Sequence, residues 1–559
     1  MRTRNYFRAR ILLLLLISTF FLGVIPLKVR ATITGDSYPA SGNWIIDDDT
    51  VVENEIIVWN YSILIQGDAD VTFKNTTIYF NSTDEAGRRC RLQSTTNGTV
   101  TINNCTITAL NHDDLDYYPY TIDIGSNTSF FTLNDSIVEY CGVSWDANFL
   151  VKSKAAIVGT SFRNNYHALF LSGMPGPDDE RYAQVENNTF FNQTDYDIRT
   201  AGFHNLSLSS NMFLGTNLGL GAGFFIEECK NLTMSSNQLH ASTTYWSLSM
   251  ITDSNSVDVI NNTINLLDGR FDLENCTGVN VSGNSFENLE YGLFLDTCDE
   301  SQVRGNVFQE CYSGLYNDAS NDTIVQDNQF INMSHSGIQV RTGSHDCNLT
   351  GNEIDGTNEY GVFLYHAIKT TVEDMSITNT SHQGLFNQFS NQTSIMNCLV
   401  TECGWSGIDV TGASEISIHG CKLRDNGYCG VSLHDADNVN VINNNITGSS
   451  QAAVRVKQSS NVNLLNNNIV HNYAAGIDVT SYSSAITISG NRISFNEGTG
   501  LYIEAESEVT YSENEIRKNG EGNLIDENKF DRWELVGYVV AAAAIMAIIA
   551  IAILLRKKR

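Results

Sequence analysis

The sequence is short of proline and of positive charge. Five prolines occur in 559 residues, against 42 glycines, which argues against extended disorder and suits many short turns. Lysine and arginine total 33 against 63 acidic residues, so the formal net charge is −30. Such a surface repels nucleic acid at long range unless basic patches intervene, and we expect no nucleic-acid partner.

Closely spaced cysteine pairs of the Cys-x-x-Cys type are also absent, although the chain has twelve cysteines. A zinc site is therefore not expected. Cys276 and Cys298 are 22 residues apart, and Cys398 and Cys421 are 23 apart. In an exported chain either pair could form a disulfide, or the thiols could fill turns as small apolar groups.

A short glycine-opened strand, Gly-Ile-Asp-Val at Gly407, recurs along the chain. The copies follow one another at steps of 22 to 24 residues, and their first residues are Gly292, Gly314, Gly337, Gly361, Gly384, Gly407, Gly430, Ala453, Gly476 and Gly500. A fixed period of this length is typical of a solenoid, in which each repeat packs on its neighbours.

Two further short apolar segments accompany each repeat. One is an Asn-rich turn followed by an apolar anchor, as in Asn306-Val-Phe308, and the other precedes it, as in Val439-Asn-Val441. Including weaker copies, the anchors are residues 78, 107, 137, 162, 190, 213, 239, 264, 286, 308, 330, 354, 377, 399, 423, 446, 469, 493 and 516. Three alternating strands per turn predict an all-β parallel β-helix of about 19 rungs over residues 76–516, with 32–75 as cap and first turns.

The two ends of the chain carry membrane signals. Arginines precede an apolar run in residues 1–31, the pattern of a secretory signal peptide or, if uncleaved, of an N-terminal anchor. Residues 535–555 form an apolar run closed by the basic tail 556–559, which predicts one C-terminal transmembrane helix after a polar linker, 517–534. We expect a single-pass cell-membrane protein with its ectodomain outside and its C-terminus in the cytoplasm.

The third residue of each glycine-opened strand faces outward if its two neighbours face the core, and so does the residue two positions further on. Stacked rungs then form an aromatic row followed by a polar patch. The row consists of Phe294, Tyr316, Phe363, Tyr365 and Phe386, and the patch of Asp409, His434, Asp435, Arg455 and Lys457. Aromatic faces stack on sugar rings, which predicts substrate binding by the row and by Lys457. The alternative is a solvated face on which the aromatic rings only stabilise the ladder.

The polar patch also contains groups suited to acid–base chemistry. A carboxylate, an imidazole and a guanidinium on neighbouring rungs, from Asp409, His434 and Arg455, could abstract a proton or cleave a glycosidic bond. These are the candidate catalytic residues if the chain is an enzyme. No metal-binding residues and no cofactor are predicted. An acidic loop at residues 112–116 could hold calcium, or its charge could be chance.

The three-strand rung, with Asn-x-Ile/Phe turns and Gly-Ile-x-Val strands, resembles the right-handed parallel β-helix repeats of the pectin-lyase-like superfamily. Its even rungs look most like those of the family of NosD, a copper-maturation accessory protein, and of carbohydrate-binding and sugar-hydrolase β-helix domains. The resemblance covers roughly residues 75–516 and implies the fold more than an activity. The Asp-Pro-His-Asp epimerase signature is absent, and no clustered His or Met ligands support copper binding.

These observations predict a membrane-anchored extracellular protein, a single-stranded right-handed parallel β-helix that binds polysaccharide or other cell-envelope partners along one face. The alternative is a polysaccharide-modifying enzyme, a lyase, glycoside hydrolase or epimerase, tethered to the cell surface. Asn-x-Ser/Thr sequons recur from Asn60 to Asn445 and predict a glycoprotein. Nothing in the sequence predicts an oligomeric state.

Overall fold

The computed structural model describes residues 32–529, except for 82–89, 111–119, 143–148, 174–181, 216–222 and 242–247. The predicted signal segment, the acidic loop at 112–116 and the predicted span at 535–555 lie outside these residues. Within the part of the chain that the structure describes, no helix is long and apolar enough to cross a bilayer.

The chain winds as a right-handed coil of about 19 turns that visits three parallel sheets in a fixed order, which we call sheets 1, 2 and 3. Each strand pairs with the strand one turn later in the same sheet. The all-β solenoid predicted from the repeats is therefore confirmed. A short 3-10 helix, Glu527–Lys529, follows the last strand.

Sheet 1 contains the glycine-opened strands of the repeat. Its strands are β2 (Trp44–Ile46), β5 (Ile63–Ile65), β8 (Cys90–Ser94), β11 (Tyr120–Ile124), β14 (Phe149–Val151), β17 (Leu169–Ser172), β20 (Ile198–Ala201), β23 (Phe224–Glu227), β26 (Leu248–Thr252), β29 (Arg270–Glu274), β32 (Tyr291–Asp296), β35 (Ser313–Asp318), β38 (Ser336–Val340), β41 (Val362–Tyr365), β44 (Leu385–Gln388), β47 (Ile408–Thr411), β50 (Val431–His434), β53 (Val454–Lys457), β56 (Ile477–Thr480), β59 (Leu501–Ile503) and β62 (Leu524–Asp526).

Sheet 2 follows sheet 1 in every turn. Its strands are β1 (Thr32–Thr34), β3 (Thr50–Glu53), β6 (Val71–Lys74), β9 (Thr99–Asn103), β12 (Phe130–Asn134), β15 (Ala155–Val158), β18 (Ala183–Glu186), β21 (His204–Ser209), β24 (Lys230–Ser235), β27 (Asn255–Ile260), β30 (Thr277–Ser282), β33 (Gln302–Arg304), β36 (Ile324–Gln326), β39 (Asn348–Thr350), β42 (Thr371–Glu373), β45 (Ser394–Met396), β48 (Ser414–His419), β51 (Asp437–Ile442), β54 (Ser460–Leu465), β57 (Ile486–Ser489) and β60 (Val509–Ser512). β1 runs antiparallel to β3.

Sheet 3 completes the turn and carries the predicted apolar anchors. Its strands are β4 (Ile56–Trp59), β7 (Thr77–Phe80), β10 (Thr106–Ala109), β13 (Ile137–Glu139), β16 (Ser161–Arg163), β19 (Thr189–Phe191), β22 (Met212–Gly215), β25 (Gln238–Ala241), β28 (Thr263–Leu266), β31 (Ser285–Glu287), β34 (Val307–Gln309), β37 (Gln329–Met333), β40 (Glu353–Thr357), β43 (Ser376–Thr380), β46 (Leu399–Thr401), β49 (Lys422–Arg424), β52 (Asn445–Thr447), β55 (Asn468–Val470), β58 (Arg492–Ser494) and β61 (Glu515–Arg517).

The apolar anchors of sheet 3 point into the coil and stack from rung to rung. The ring centroids of Phe286 and Phe308 are 4.8 Å apart, with nearly parallel planes. At two rungs the predicted anchor is one residue early: Val138 and Val400 are buried, whereas Leu399 is 38% exposed. Both rungs offer two adjacent apolar residues, and a shift by one residue turns a side chain to the other face of a strand.

An internal ladder of asparagines fills the corner between sheets 2 and 3. The Nδ2 of Asn306 donates to the carbonyl of Val281 and to Oδ1 of Asn328, both at 2.9 Å. Its Oδ1 accepts from the backbone N–H and the Nδ2 of Asn284. The buried amides thus satisfy the turn backbone and each other. Members of the ladder are Asn188, Asn211, Asn237, Asn262, Asn284, Asn306, Asn328, Asn352, Asn444, Asn467, Asn491 and Asn514.

The ladder is interrupted at three successive rungs by Met375, Cys398 and Cys421. The thiols of Cys398 and Cys421 contact each other across adjacent rungs, and those of Cys276 and Cys298 do the same at another corner. All twelve cysteines are buried and unbridged. In the structure, the thiols are therefore small core groups that fill turns.

Asn306→Ala should destabilise the coil by about 2–5 kcal/mol, because the backbone N–H of Asn284 is left buried without its acceptor and the carbonyl of Val281 loses a donor. The shift of the denaturant midpoint and faster hydrogen exchange at the Asn284 amide measure the loss. Asn280→Ala is the control, since Asn280 makes a partly exposed bond to Asp258 and should cost less than about 1 kcal/mol. Equal losses would contradict a structural role for the ladder.

Candidate functional site

The outward side chains of sheet 1 form one column in which each residue pairs with its counterpart on the next rung. The column runs through Phe294, Tyr316, Gln339, Phe363, Phe386, Asp409, Ser432, Arg455, Asp478 and Tyr502. Two residues further along the strands, a second column contains Tyr365, Gln388, Thr411, His434, Lys457 and Thr480. The predicted binding and catalytic side chains therefore share one face of the rod.

Pairs of aromatic rings in the first part of this column pack against the guanidinium groups of arginines that lie beside it, and we call these rings and guanidinium groups the planar stack. Its members are Arg270, Phe294, Tyr316, Arg341, Phe363 and Phe386. Phe294 and Tyr316 stack at 5.0 Å, and Phe363 and Phe386 at 5.4 Å. Arg341 lies between the two pairs, 5.4 Å from the ring of Tyr316 and 5.3 Å from that of Phe363.

The planar stack uses most of its ring faces internally. Phe363 is only 9% exposed, because Tyr360 packs against it at 5.0 Å and Arg341 covers its other side. Cation–aromatic and aromatic contacts of this kind stabilise neighbouring rungs. The alternative, that the rings stabilise the ladder, is supported by these direct contacts. Sugar binding stays a prediction for the five aromatic residues of the row, which are Phe294, Tyr316, Phe363, Tyr365 and Phe386.

A cavity of about 480 Å³ lies on the rungs that follow the planar stack. It brings together Asp409, His434, Arg455 and Lys457, which the sequence had placed in the polar patch. The other residues in its wall were not predicted as site residues, and among them Tyr428, Asp478 and Glu504 have ionisable side chains. The cavity thus contains carboxylates, an imidazole, two cations and hydroxyl groups within a few rungs of one another.

Arg455 is held by partners inside the protein. Its Nε lies 3.1 Å from a carboxylate oxygen of Asp478, its guanidinium covers the ring of Tyr428, and its Nη1 donates to the Tyr428 hydroxyl. Burial raises the pKa of Asp478, and the charge of Arg455 partly opposes that shift. The guanidinium is thereby fixed in orientation at the floor of the cavity.

Asp409 and His434 lie on successive rungs but have separate partners. Burial raises the pKa of Asp409, which accepts a hydrogen bond of 3.1 Å from the Thr411 hydroxyl. The Nε2 of His434 is 2.9 Å from the side-chain oxygen of Gln458. The pair is therefore an acidic group of raised pKa beside an imidazole, without the direct hydrogen bond of a catalytic dyad.

A row of rings on the turns entering sheet 1 borders the column and was missed in the sequence. His335 and Glu359 are 3.0 Å apart in this row, and the rings of His382 and Trp405 are 5.2 Å apart. Trp405 is 54% exposed and pairs through its backbone with Tyr428 in the cavity wall. These residues precede the glycine of each repeat, where the strand alternation used for prediction does not apply.

The metal-ligating groups of the described chain do not fit copper. One cluster of three His, Cys, Asp or Glu side chains close enough to share an ion occurs there, formed by Asp36, Asp47 and Asp48. Its donors are carboxylate oxygens, whereas copper prefers imidazole and sulfur ligands. The Asp36 carboxylate also accepts the backbone N–H groups of Asp47 and Asp48, which lowers its pKa.

Asp409→Asn should stabilise the protein at pH 7 but not at pH 3. A carboxyl whose folded pKa is raised supplies its stabilisation below the unfolded value of 3.8 and loses it as the pH rises through the folded pKa. Asp437→Asn has the opposite sign, since hydrogen bonds from Ser460 and Asn461 lower the pKa of Asp437. Thermal unfolding of both variants at the two pH values measures the difference, and a pH-independent effect at Asp409 would contradict the assignment.

Two protein families match this chain in part. A family described as "Right handed beta helix region" matches residues 385–531, and one described as "Periplasmic copper-binding protein (NosD)" matches residues 267–399. No curated protein matches the chain. The resemblance to right-handed β-helix repeats, and to NosD in particular, is confirmed.

Solved structures that resemble the chain have low sequence identity to it. The Azotobacter vinelandii mannuronan C-5 epimerase AlgE4 A-module is 13% identical, with 77% of this chain and 90% of that chain covered and a TM-score of 0.29. Tailspike protein 3 of bacteriophage CBA120 is 10% identical, with coverages of 79% and 58% and a TM-score of 0.25. At these values the likeness says nothing about what this chain binds. The chain is a right-handed parallel β-helix protein.

Proposed function

We propose that the protein binds glycans on the outward face of sheet 1, with the cavity and the neighbouring Trp405 as the centre of recognition. The observation that carries this proposal is an exposed indole on the rung next to Tyr428, which lines a cavity of about 480 Å³ whose wall is rich in hydrogen-bonding groups. Glycan sites in general combine an aromatic platform with a few convergent polar groups.

Trp405 supplies the main aromatic platform, and Tyr428 on the adjacent rung adds to it only the part of its ring that the Arg455 guanidinium leaves uncovered. Trp405 is 54% exposed and Tyr428 39% exposed, and they lie on adjacent rungs. Their exposure contrasts with that of Phe363, whose ring is covered by Tyr360 and Arg341. Sugar rings stack through their C–H groups on aromatic faces, so the freer rings are the better platform.

The cavity supplies groups that recognise hydroxyls. Asp409 accepts hydrogen bonds, Lys457 donates them, and the hydroxyl of Ser432 does both. Arg455 is already paired with Asp478, so Lys457 is the cation of the cavity that is more available to a ligand. This mixture of donors and acceptors of both charges suits neighbouring hydroxyl groups of a sugar.

The face suits a polymer because it continues beyond the cavity. The ten members of the outward column occupy successive rungs, which at about 4.8 Å per rung span about 43 Å. We also propose that this face lies outside the cytoplasm on a glycosylated, membrane-tethered rod, on the strength of the signal segment, the apolar run at 535–555 and the sequons. The family that matches residues 267–399 is described as periplasmic, which supports the location.

Trp405→Ala should weaken glycan binding about tenfold, because loss of one stacking platform removes about 1 kcal/mol or more of contact energy. A glycan array probed with the ectodomain identifies ligands among uronate polymers and neutral glycans, and titration then gives the affinities. Phe191→Ala is the matched control: Phe191 is 40% exposed on sheet 3, away from the proposed face, and its loss should leave binding unchanged. A Trp405→Ala variant that folds and binds as tightly as the wild type rules out the platform.

A polysaccharide-modifying enzyme is the second candidate, favoured by the raised pKa of Asp409 next to His434 in the cavity. A lyase, hydrolase or epimerase acting there would lose turnover in Asp409→Asn and His434→Gln, by about 100-fold or more if either transfers a proton. The assay follows product formation from the glycans that bind. Turnover abolished by either change establishes an enzyme, whereas binding without turnover establishes the binding protein.

A further inference from the structure

A second polar cluster lies on the same face, nine rungs before Asp409. It is formed at two consecutive turns by His167, Asp195 and Tyr196, together with Arg199 on β20. Arg199 belongs to the outward column, where it pairs in register with Phe170 on the preceding rung and Phe225 on the following one. At about 4.8 Å per rung, the cluster is about 43 Å from the cavity.

The guanidinium of Arg199 lies between two rings of neighbouring rungs, and part of its hydrogen-bonding edge is unused. It lies 5.4 Å from the ring of Phe170 and 5.9 Å from that of Phe225. Its Nε is buried and has no hydrogen-bond partner among the residues that the structure describes. A buried charged N–H without an acceptor is costly, and the N–H groups of a guanidinium donate in the plane of the group.

Arg199 also differs from two other arginines of this face in its charge balance. Arg270 is 3.0 Å from Asp272, and Arg455 is 3.1 Å from Asp478. Among the residues that the structure describes, no carboxylate lies within 4.0 Å of the Arg199 nitrogens. Asp195 interacts with Arg199 electrostatically without a direct ion pair. The positive charge of Arg199 is therefore less neutralised than the charges of Arg270 and Arg455.

His167 adds a second unsatisfied polar group to the cluster. The side chain is enclosed by Tyr166 and Tyr196, and the residue is 7% exposed. Its Nδ1 is 3.6 Å from Asp195, beyond hydrogen-bonding distance. Burial, and then the charge of Arg199, lowers the pKa of His167 to about 4, so the imidazole is neutral at pH 7 and the contact with Asp195 is not a charge pair.

The geometry points to a second binding site at Arg199 and His167 for a carboxylate group of a uronic acid unit. The in-plane edge of a guanidinium matches the two oxygens of a planar carboxylate, and a neutral imidazole beside it can donate a further hydrogen bond. The inference rests on the proposed function in taking the ligand to be a sugar, and it goes further by assigning an acidic unit to a site far from the cavity.

Asp197, on the turn before Arg199, anchors strand β20 to the next rung. The backbone N–H of Asp197 donates to the carbonyl of Gly223, and a carboxyl oxygen of Asp197 accepts the N–H of Gly223 at 3.0 Å. Asp197 is fully enclosed and burial raises its pKa to about 8, so it is protonated at pH 7. The site therefore gains no negative charge from this residue near neutral pH.

The test compares binding of tetragalacturonate and of its carboxyl-reduced, neutral counterpart to the full chain by titration at pH 7. The wild type should bind the acidic tetramer at least tenfold more tightly, because hydrogen bonds between charged groups are stronger than those between neutral groups. Arg199→Gln should abolish the preference, and Arg199→Lys, which keeps the charge and the packing stem but loses the planar fork, should reduce it. Arg163→Gln on sheet 3 is the control and should preserve it, since Arg163 is exposed there and bonds Ser161.

The outcomes separate this site from the proposed function. A wild type without preference for the acid, or a folded Arg199→Gln variant that keeps the preference, overturns the carboxylate site. If Trp405→Ala has no effect while Arg199→Gln removes the preference, the carboxylate site stands and the cavity-centred proposal fails. Competition by free galacturonate shows that the site takes the acid as a monomer, whereas a preference that free galacturonate does not reduce shows that the acid must be part of a chain.

Discussion

The fixed register between one turn and the next is the constraint on which the rest of this structure depends. Every strand pairs with its counterpart one repeat later, so a residue at a given point of the repeat lies directly beside the equivalent residue of the next rung. Backbone hydrogen bonds across this interval hold the rungs at about 4.8 Å. A side chain that makes a favourable contact at this spacing can make the same contact at each turn.

The same spacing produces different chemistry in different columns. Buried asparagines satisfy one another and the turn backbone in the corner between sheets 2 and 3. Phenylalanines of sheet 3 stack face to face in the core. On the outward side of sheet 1, aromatic rings and guanidinium groups pack together until polar residues replace them and a cavity opens. Function can therefore be altered in one column while the other columns keep the rod intact.

Much of this could be predicted from the sequence because the repeat is regular. The period gave the solenoid, and the alternation within Gly-Ile-x-Val placed Asp409 and Arg455 on one outward column, as the pairing shows. The anchors at 137 and 399 were wrong by one residue, since Val138 and Val400 are equally apolar neighbours. Strand alternation distinguishes two faces only when the residues on those faces differ in polarity.

Other features depend on side-chain directions that spacing does not reveal. Arg341 follows Gln339 by two residues, yet its long side chain reaches over Tyr316 and Phe363 and bonds the side chain of Gln339. Phe363 is consequently covered, although it faces outward as predicted. Trp405 and His167 lie on turns, where no alternation applies, and the packing around them decides which is exposed and which is enclosed.

The break in the asparagine ladder has a mechanical consequence. Met375, Cys398 and Cys421 occupy three consecutive rungs, at the level where the planar stack ends and the cavity begins. Side chains of this kind form fewer and weaker hydrogen bonds between rungs than amides do. A force that bends the rod is therefore resisted less at this level than at the neighbouring rungs whose corner contains asparagine.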